Sequence, residues 1–509
     1  MADAESRQRR IIAALYDPHR YPHPASCVEH METHISHLLL AGDFAYKIKK
    51  PVSLGFLDFS DLNARRHFCE EELRLNRRTA PALYLEVIGI GGTEDRPVLD
   101  GGVLVIEYAL KMRRFSQDAL LSAMLERGEL MAEHLDALAA KIAKFHSQIE
   151  SARDRDTFGE PRSIEQPARQ NFEQLAALVS DESLEAIRRY TEDAHSRLAE
   201  VFKRRKRQGF VRECHGDLHL DNITVFKGEI TLFDCVEFNK ELRWIDVMSE
   251  VAFVMMDFVA RGRDDFAFRL LNAYLERTGD FAGLSTLSYY LVYRALVRAK
   301  VIALRHGAEG NDERMRTYLA LARRFANKGH PGVIITHGLS GSGKSALAYR
   351  LAPDLKAIRV RSDIERKRLA NGRAPREELY SAAAIEETYA ELKRLARVVT
   401  DAGYPVIVDA TFLKRAQRER FKNLATALGI PFVVLDCRAP QSELRERVVK
   451  RAELGHDPSD ADLAVLEHQL ATVEPLTPDE QASAVTFDSS REDRLHELSA
   501  TLKSRLALA

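Results

Sequence analysis

Cysteine, net charge and long apolar runs are all scarce in this sequence. Only 5 cysteines occur in 509 residues, scattered and without a Cys-x-x-Cys pair. This pattern favours reduced thiols in a cytoplasmic protein. It does not favour a disulfide framework or a zinc site built from Cys-x-x-Cys pairs. Lysine and arginine number 75 against 76 aspartate and glutamate, a net charge of −1. The whole chain therefore offers no basic field for nonspecific binding to nucleic acid.

The apolar residues come in short runs within an ordinary globular composition, 45% hydrophobic and 30% charged. A membrane span needs about 20 apolar residues, whereas the run 252–260 is short and contains Asp257. The N-terminal residues lack the apolar region of a signal peptide. We expect no membrane association and, at about 100–200 residues per domain, two to four domains.

Two breaks divide the sequence. Residues 326–332 end a helical pattern with glycine and proline and precede an apolar strand, which predicts domains over 1–329 and 330–509. Polar residues 151–170, with two prolines, predict an exposed connection. Within the first domain we expect a β-rich lobe over about 25–110 and a helical lobe over about 111–327. A hairpin turn at Gly42–Asp43 and a helix over 61–79 belong to the first lobe.

Strand-like segments alternate with long helical patterns in the second domain. This order predicts a parallel sheet with helices on both faces. The predicted strands are 332–337, 357–361, 405–410, 431–436 and 483–488.

A complete G-x-x-x-x-G-K-S motif, the P-loop, follows the first of these strands and opens a helix. Its glycines allow the backbone N–H groups to surround a phosphate, Lys344 reaches the β- and γ-phosphates, and the Ser345 hydroxyl is a Mg²⁺ ligand. The predicted nucleotide-binding residues are Gly338, Leu339, Ser340, Gly341, Ser342, Gly343, Lys344, Ser345 and Ala346.

Acidic and basic residues after the P-loop point to phosphoryl transfer. Asp363 follows the second strand, where a carboxylate suits accepting a proton from an acceptor hydroxyl; its alternative is a helix N-cap. Asp409 ends the third strand and is a candidate Mg²⁺ ligand. Arg447 and Arg451 share a helix face, either as a lid over the phosphates or as a solvated surface. Lys344 itself completes this predicted set.

This order of motifs resembles the P-loop kinases, including the zeta-toxin-like and gluconate-kinase-like enzymes, over roughly 332–500. The resemblance implies an α/β P-loop NTPase fold with a parallel sheet. It makes ATP the expected nucleotide, with GTP as the alternative.

A second phosphotransfer pattern lies in the first domain. His215-Gly216-Asp217 is followed by Asn222, and Asp234 comes in a Leu-Phe-Asp run twelve residues later. Protein kinases place an Asp and an Asn at the same spacing before a metal-binding Asp. Asp217 would accept or orient the acceptor hydroxyl, while Asn222 and Asp234 would hold Mg²⁺.

The β-rich lobe supplies further candidates. Lys47, in an Ala-Tyr-Lys-Ile strand, is the expected ligand of the α- and β-phosphates, with Lys49 as its competitor. Glu72 lies on the apolar face of the next helix and is its expected ion-pair partner, although an exposed glutamate is the alternative. The first hairpin has no G-x-G-x-x-G motif, so we expect Ser36 and backbone N–H groups to cover the phosphates.

The H-G-D-L-H-x-x-N motif resembles the aminoglycoside phosphotransferase and choline kinase group. With the P-loop half, the chain is similar over nearly its full length to bacterial proteins described as bifunctional aminoglycoside phosphotransferase-like/ATP-binding proteins. The resemblance implies an α+β bilobal protein-kinase-like domain followed by the P-loop domain. It also implies that Asp246 braces the catalytic loop.

Histidines crowd the N-terminus, and two pairs, His19 with His23 and His30 with His34, have the spacing of helical metal ligands. The prolines among them oppose a regular helix. We therefore expect no metal site from this spacing.

These features predict an ATP- and Mg²⁺-dependent phosphotransferase that acts on hydroxyl groups of small molecules at two sites. One alternative is a regulatory ATP-binding protein with a sensing pseudokinase half. Another is a polynucleotide 5′-hydroxyl kinase activity in the P-loop half, which the neutral charge disfavours.

Overall fold

The computed structural model describes residues 2–54, 57–101, 104–178, 182–306, 313–327, 329–370, 379–454 and 461–508. The chain forms two compact units. The first comprises Met1–Pro167 and Ala199–Asp257, and the second comprises Ala168–Leu198 and Phe258–Ala509. These units are defined by contacts, and the boundary near residue 329 stays a prediction.

An antiparallel sheet of six strands, in the order β1-β2-β3-β8-β6-β7, dominates the first unit. The predicted hairpin is confirmed: Ala41 pairs with Phe44 around a two-residue turn in which Gly42 has φ +53°. A positive φ costs glycine nothing. The strands of this unit are β1 Val28–Glu32, β2 Ser36–Ala41, β3 Phe44–Lys49, β4 Ser53–Leu54, β5 Leu57–Asp58, β6 Tyr84–Thr93, β7 Arg96–Leu99, β8 Val105–Arg113, β9 Val211–Glu213, β10 Ile223–Phe226, β11 Glu229–Leu232 and β12 Trp244–Asp246.

Helix α2, Leu62–Asn76, confirms the helix expected over 61–79. Asp61 caps it by accepting hydrogen bonds from two backbone N–H groups. Cys69, Glu72 and Leu75 are buried at a spacing of three residues, whereas Glu70 is exposed. Of the three consecutive glutamates Glu70, Glu71 and Glu72, the helical period therefore directs only Glu72 fully inward.

Helices make up most of residues 121–326. The exposed connection expected over 151–170 is wrong in its second half, because α5 begins at Pro161. Proline suits the first helical position, where its missing N–H has no helical partner to lose. The helices up to this point are α1 Ala2–Ala14, α2 Leu62–Asn76, α3 Leu121–Glu126, α4 Ala132–Gln148, α5 Pro161–Ala176, α6 Glu182–Arg207, α7 Lys240–Arg243, α8 Val247–Ala260, α9 Asp264–Thr278, α10 Leu284–His306 and α11 Glu313–Ala326.

The predicted parallel sheet is present in the second unit, with strand order β14-β15-β13-β16-β17. Ile334 packs in a cluster with residues of the helices 344–354 and 495–505, and Ile335 is also fully buried. Neighbouring strand residues face opposite ways, so both faces are covered. The strands are β13 Val333–His337, β14 Ile358–Arg361, β15 Val406–Asp409, β16 Phe432–Arg438 and β17 Ala484–Asp488. The helices are α12 Lys344–Asp354, α13 Ser362–Leu369, α14 Ala382–Asp401, α15 Arg415–Leu428, α16 Gln441–Leu454, α17 Leu463–Thr472, α18 Pro478–Ala482 and α19 Leu495–Arg505.

A side chain covers one edge of this sheet. β14 is the strand at that edge, and β17 is at the other. The amide of Asn272, on α9, donates to the Ala357 carbonyl at 2.9 Å and accepts from the Arg359 N–H at 2.6 Å. These two bonds imitate a neighbouring strand at this point of the edge.

Among the described residues, the helices include none with the length and apolar character needed to cross a membrane.

Candidate functional sites

The first site begins with two lysines on one face of β3. Lys47 Nζ lies 2.7 Å from one carboxylate oxygen of Glu72, and Lys49 Nζ lies 2.7 Å from the other. Glu72 is therefore paired with both Lys47 and Lys49, the two lysines that the sequence offered for the phosphates. Lys49 also contacts Glu237 at 2.5 Å, a pairing that the sequence analysis missed.

Glu72 is completely buried. Burial raises the pKa of its carboxyl, but the positive charges of Lys47 and Lys49 outweigh burial and hold the pKa below its ordinary value. The carboxylate therefore stays ionised and orients both ammonium groups. The alternating side-chain direction of a strand, which puts residues two apart on one face, is the signal that identifies Lys49.

The loop after β9 carries Asp217 and Asn222. The Asn222 side-chain amide donates to the Asp217 carbonyl at 2.8 Å and contacts its carboxylate at 3.3 Å. Asn222 is buried, whereas the Asp217 side chain is 42% exposed. A carboxylate with this exposure is accessible to an acceptor hydroxyl, while the amide beneath it fixes the loop.

Hydrogen bonds join this loop to the hairpin that ends at Asp234. The Phe233 N–H donates to the Asn222 carbonyl at 3.0 Å, and the Val236 N–H donates to the His215 carbonyl at 3.0 Å. Asn222 and Asp234 therefore lie on adjoining segments, as the predicted metal pair requires.

Asp234 has a left-handed backbone, with φ +65°. Its N–H donates to the Tyr84 hydroxyl at 3.1 Å, and its carboxylate lies 2.6 Å from Lys47 Nζ. Aspartate tolerates this conformation better than most residues. The unusual backbone and the tyrosine together hold the carboxylate against Lys47.

A glutamate that the sequence analysis did not single out anchors the loop. Glu250, on α8, is fully buried and accepts from the His215 N–H at 2.5 Å and the Gly216 N–H at 3.2 Å. It also contacts His146 Nε2 at 3.1 Å. Asp246, to which the resemblance gave this role, instead binds the Arg205 guanidinium at 2.6 and 2.8 Å.

Ser36 lies at the start of β2, beside the turn expected to cover the phosphates. Its hydroxyl is buried and has no hydrogen-bond partner within the described ranges. Its N–H donates to the Thr33 hydroxyl at 3.0 Å, so the turn closes on itself. Because this hydroxyl is enclosed by the protein, its expected contact with the phosphates stays a prediction.

The second site is the P-loop between β13 and α12. Gly338, Gly341 and Gly343 have φ values of +141°, +83° and +81°. A Cβ atom on Gly341 would lie 2.6 Å from the Leu444 carbonyl oxygen. Only glycine combines this backbone with this close approach.

Lys344 curls over the loop. Its ammonium donates to the Leu339 carbonyl at 2.6 Å and contacts the Ser342 hydroxyl at 3.3 Å. Burial lowers its pKa, an effect that the charges of Asp409 and Asp363 oppose. The two predicted carboxylates therefore act electrostatically on this lysine.

Ser345 and Asp409 meet beneath the loop. The Ser345 hydroxyl donates to Asp409 Oδ1 at 3.1 Å. Asp409 Oδ2 is buried without a hydrogen bond among the described residues, 4.0 Å from both Arg359 and Arg361. Burial raises the pKa of Asp409 and the two guanidinium groups lower it.

An unpartnered buried carboxylate oxygen beside a hydroxyl is the donor set that Mg²⁺ takes in such sites. The residues present at Ser345 and Asp409 thus fit the ion. At the first site the amide of Asn222 and the carboxylate of Asp234 are also oxygen donors of the kind that Mg²⁺ prefers.

Asp363 lies in the first turn of α13, whose N-cap is Arg361, so the N-cap alternative is wrong. Its carboxylate contacts the Arg366 guanidinium at 3.0 Å. The ion pair with Arg366 orients the Asp363 carboxylate, whose side chain stays 19% exposed.

Arg447 and Arg451 lie on the partly buried face of α16 rather than on a solvated surface. Arg447 donates to the Ser489 hydroxyl at 2.7 Å and approaches the Gly341 carbonyl at 3.4 Å. Arg451 donates to the Ala461 carbonyl at 2.7 Å. Arg447 therefore touches the P-loop directly.

Gln469, on α17, is a further contact that the sequence analysis missed. Its side-chain oxygen accepts from the Ser340 N–H at 2.8 Å. One N–H group of the predicted phosphate cradle is therefore paired with a helix beyond the loop. A lone glutamine on a helix carries no motif, so the sequence has no signal for it.

Two family models match the chain. A phosphotransferase enzyme family model matches residues 112–290, and an AAA domain model matches residues 333–476. The chain thus combines a kinase-like phosphotransferase domain with a P-loop kinase domain, on a mixed α and β fold.

The chain also has relatives of similar length. Uncharacterized proteins of Mycobacterium tuberculosis and Mycobacterium bovis are 32% identical to it over 447 residues, which cover 85% of this chain and 88% of theirs. The chain belongs to the family of these mycobacterial proteins.

Solved structures of kinases have limited similarity to this chain. A gluconokinase from Sinorhizobium meliloti is 22% identical, with TM-score 0.26, over 35% of this chain and 94% of its own. An ethanolamine kinase from Plasmodium vivax is 10% identical, with TM-score 0.38, over 58% of this chain and 81% of its own.

Proposed function

We propose that the chain is an ATP- and Mg²⁺-dependent phosphotransferase with two sites, each transferring a γ-phosphoryl group to a hydroxyl of a small molecule. One observation carries the proposal. At each site the carboxylate suited to Mg²⁺ contacts a residue of the proposed nucleotide-binding set. This residue is the phosphate-binding lysine at the first site and the metal-binding serine of the P-loop at the second. Lys47 lies 2.6 Å from Asp234, and Ser345 lies 3.1 Å from Asp409.

At the first site Asp217 accepts the proton of the acceptor hydroxyl as its oxygen bonds to the γ-phosphorus. The bond between that phosphorus and the bridging oxygen breaks, and the nucleoside diphosphate leaves. Lys47 holds the α- and β-phosphates while Glu72 fixes its ammonium. Asn222 and Asp234 would hold Mg²⁺, which neutralises charge on the phosphates when bound.

At the second site Asp363 takes the same role of proton acceptor. Lys344 and the backbone N–H groups of the P-loop bind the β- and γ-phosphates. Ser345 and Asp409 would hold the metal. Arg447, which contacts the loop, stabilises charge on the transferred group, and Arg451, on the same helix, is proposed to assist it.

The division into kinase-like residues 1–329 and P-loop residues 330–509 belongs to this proposal. Support comes from the glycine and proline break and from the two matched domains, which fall on either side of it. Small-molecule acceptors also belong to this proposal, since the near-zero net charge disfavours a polyanionic acceptor. A cytoplasmic location belongs to it as well, because the few scattered cysteines favour reduced thiols.

Mass spectrometry of phosphorylated products tests the proposal. The wild type, Asp217→Ala and Lys344→Ala are each incubated with ATP, Mg²⁺ and a panel of hydroxylated metabolites, aminoglycosides and a 5′-hydroxyl oligonucleotide. Asp221→Ala, in the same loop, and Lys393→Ala, an exposed helix lysine, are the matched controls. We expect each site variant to lose a different product and both controls to keep both products.

A regulatory function is the second candidate, favoured by the absence of a glycine-rich motif in the sequence of the hairpin loop. In that case the first half binds nucleotide without transfer. Loss of every product in Lys344→Ala and of none in Asp217→Ala establishes it. Phosphorylation of the oligonucleotide alone establishes the polynucleotide kinase.

A further inference from the structure

The first hairpin brings together three side chains that the sequence spacing keeps apart. In the β1–β2 register Glu32 pairs with His37 and His30 pairs with Leu39. Alternate residues share a face, so His30, Glu32 and His37 lie together at one end of the hairpin. One nitrogen or oxygen of each lies within 4.8 Å of the others.

The two imidazoles have the spacing of metal ligands. His30 Nε2 lies 3.1 Å from His37 Nδ1. Two nitrogens bound to a tetrahedral Zn²⁺ at about 2.0–2.1 Å are separated by about 3.3 Å. Little movement is therefore needed to place an ion between them.

The surroundings orient the ligands. His30 Nδ1, the nitrogen facing away from His37, lies 2.9 Å from the Tyr16 hydroxyl. Metal-binding histidines are commonly fixed by such a hydrogen bond at the second ring nitrogen. The ring of His30 is thus directed toward His37 before any ion binds.

The electrostatic surroundings act on two of these side chains. Burial, helped by the positive charge of Lys50, lowers the pKa of the His37 imidazole. A hydrogen bond from Lys50 lowers the pKa of Glu32. That bond, at 2.5 Å, uses Glu32 Oε1, which leaves Oε2 for an ion. The charge of Lys50 opposes cation binding and limits the affinity.

We propose that His30, Glu32 and His37 form a binding site for a divalent transition-metal ion of the zinc class. The fourth position is open to water. Imidazole ligands favour Zn²⁺ and Co²⁺ over Mg²⁺, so this site differs in chemistry from the oxygen-donor sites at Asp234 and Asp409. A bound ion cross-links β1 and β2, the strands joined by the turn that contains Thr33.

Metal content of the untagged full chain tests the proposal. The protein is stripped with a chelator, equilibrated with Zn²⁺ and analysed by mass spectrometry, and Co²⁺ absorption reports the coordination geometry. We expect one Zn²⁺ per wild-type chain and a tetrahedral Co²⁺ spectrum. His30→Ala and His37→Ala each lose at least about 100-fold in affinity, because each removes a ligand.

Three further variants sharpen the test. His19→Ala removes a histidine of the same N-terminal segment that is 94% exposed, and it retains the ion. Tyr16→Phe weakens binding by up to about tenfold, as loss of an orienting bond does. Lys50→Ala tightens binding, since it removes a neighbouring positive charge.

Circular dichroism confirms that each variant is folded, and His30, which is only partly buried, supplies the substitution least damaging to folding. A folded wild type that binds no Zn²⁺ overturns the proposal. So does a folded His30→Ala variant with wild-type affinity, or a six-coordinate Co²⁺ spectrum in the wild type.

Discussion

Lys47 Nζ lies 2.6 Å from Oδ1 of Asp234. The residue proposed to bind nucleotide phosphates is therefore bonded to the residue proposed to bind the metal. Before nucleotide binds, each charge neutralises the other. Binding of a metal–nucleotide complex replaces this ion pair with two new ones, so the lysine opposes metal binding alone and favours the complex.

Replacing Lys47 with Met separates these effects. We expect Mn²⁺ alone to bind the nucleotide-free first site up to about tenfold more tightly, a change of about 1.4 kcal/mol. The Mn²⁺–ATP complex binds more weakly, because a phosphate ligand is lost. Electron paramagnetic resonance of Mn²⁺ measures both, with Lys344→Ala and Asp409→Asn as the common background, because these substitutions remove a phosphate ligand and a metal ligand of the P-loop site. Lys111→Met is the control, because it removes a lysine on β8 that pairs with Glu86 away from the proposed site residues. If Lys47→Met changes the affinities for Mn²⁺ alone and for Mn²⁺–ATP in the same direction, the prediction is wrong.

Gly341→Ala is predicted to disrupt the P-loop. The new Cβ lies 2.6 Å from the Leu444 carbonyl oxygen, at φ +83°. Backbone cannot yield as a flexible side chain does, so the loop or helix α16 must move, and we expect at least about tenfold weaker ATP binding. Gly429→Ala also has a positive φ, +64°, but open space around it. Gly429→Ala therefore lowers the free energy of unfolding by only about 1–2 kcal/mol, through backbone strain, and leaves the affinity for ATP unchanged. Equal affinities of the two variants for a fluorescent ATP analogue would contradict this prediction.

Glu72→Gln is predicted to destabilise the first unit in a pH-dependent way. Removing the charge leaves two buried lysines short of a partner, which costs about 3–5 kcal/mol. The folded-state pKa of Glu72 is held at about 2 against an ordinary 4.5. Its contribution is therefore present above pH 4.5 and lost as the pH falls toward 2.

Calorimetry at several pH values checks the sign. The gap in Tm between wild type and Glu72→Gln is largest near pH 7 and narrows below pH 4.5. Glu70→Gln, on the exposed side of the same helix, shifts Tm little at any pH. A gap that widens toward low pH is the contrary result.

Asp409→Asn is predicted to separate activity from stability. Burial raises the pKa of Asp409, and Oδ2 makes no hydrogen bond in the described part of the chain. The charge is thus a cost to the metal-free fold, and its removal leaves Tm at or above the wild-type value without Mg²⁺. Transfer at the second site falls by about 10²–10³, the loss typical of one stabilising group. Asp401→Asn, at an exposed position at the end of helix α14, changes neither. A lower Tm without Mg²⁺ argues against a metal role for the carboxylate.

Regular patterns made most of the fold predictable. The alternation of strands and helices predicted the parallel sheet because each pattern is local and repeats. The helical period likewise selected Glu72 over its neighbours. The motif spacings selected Asp217, Asn222 and Lys344, because their chemistry requires those residue types at fixed separations.

Contacts between distant segments were not predictable in this way. Glu250 lies 35 residues beyond His215 and reaches it only through the packing of α8. Gln469 lies 129 residues beyond Ser340. His30 and His37 meet through strand register, whereas the helical spacing considered from the sequence joined His30 to His34. Register depends on pairing, and pairing depends on the whole sheet.

The amide of Asn272 determines where the chain can be cut without exposing an edge of the parallel sheet. It occupies the N–H of Arg359, in the edge strand Ile358–Arg361, and the C=O of Ala357, the residue before that strand. A fragment beginning at residue 330 loses this amide and exposes those groups to a second molecule, since bare edges are templates for strand pairing. Light scattering of such a fragment should show self-association. A fragment that begins at Phe258 retains the amide and should stay monodisperse.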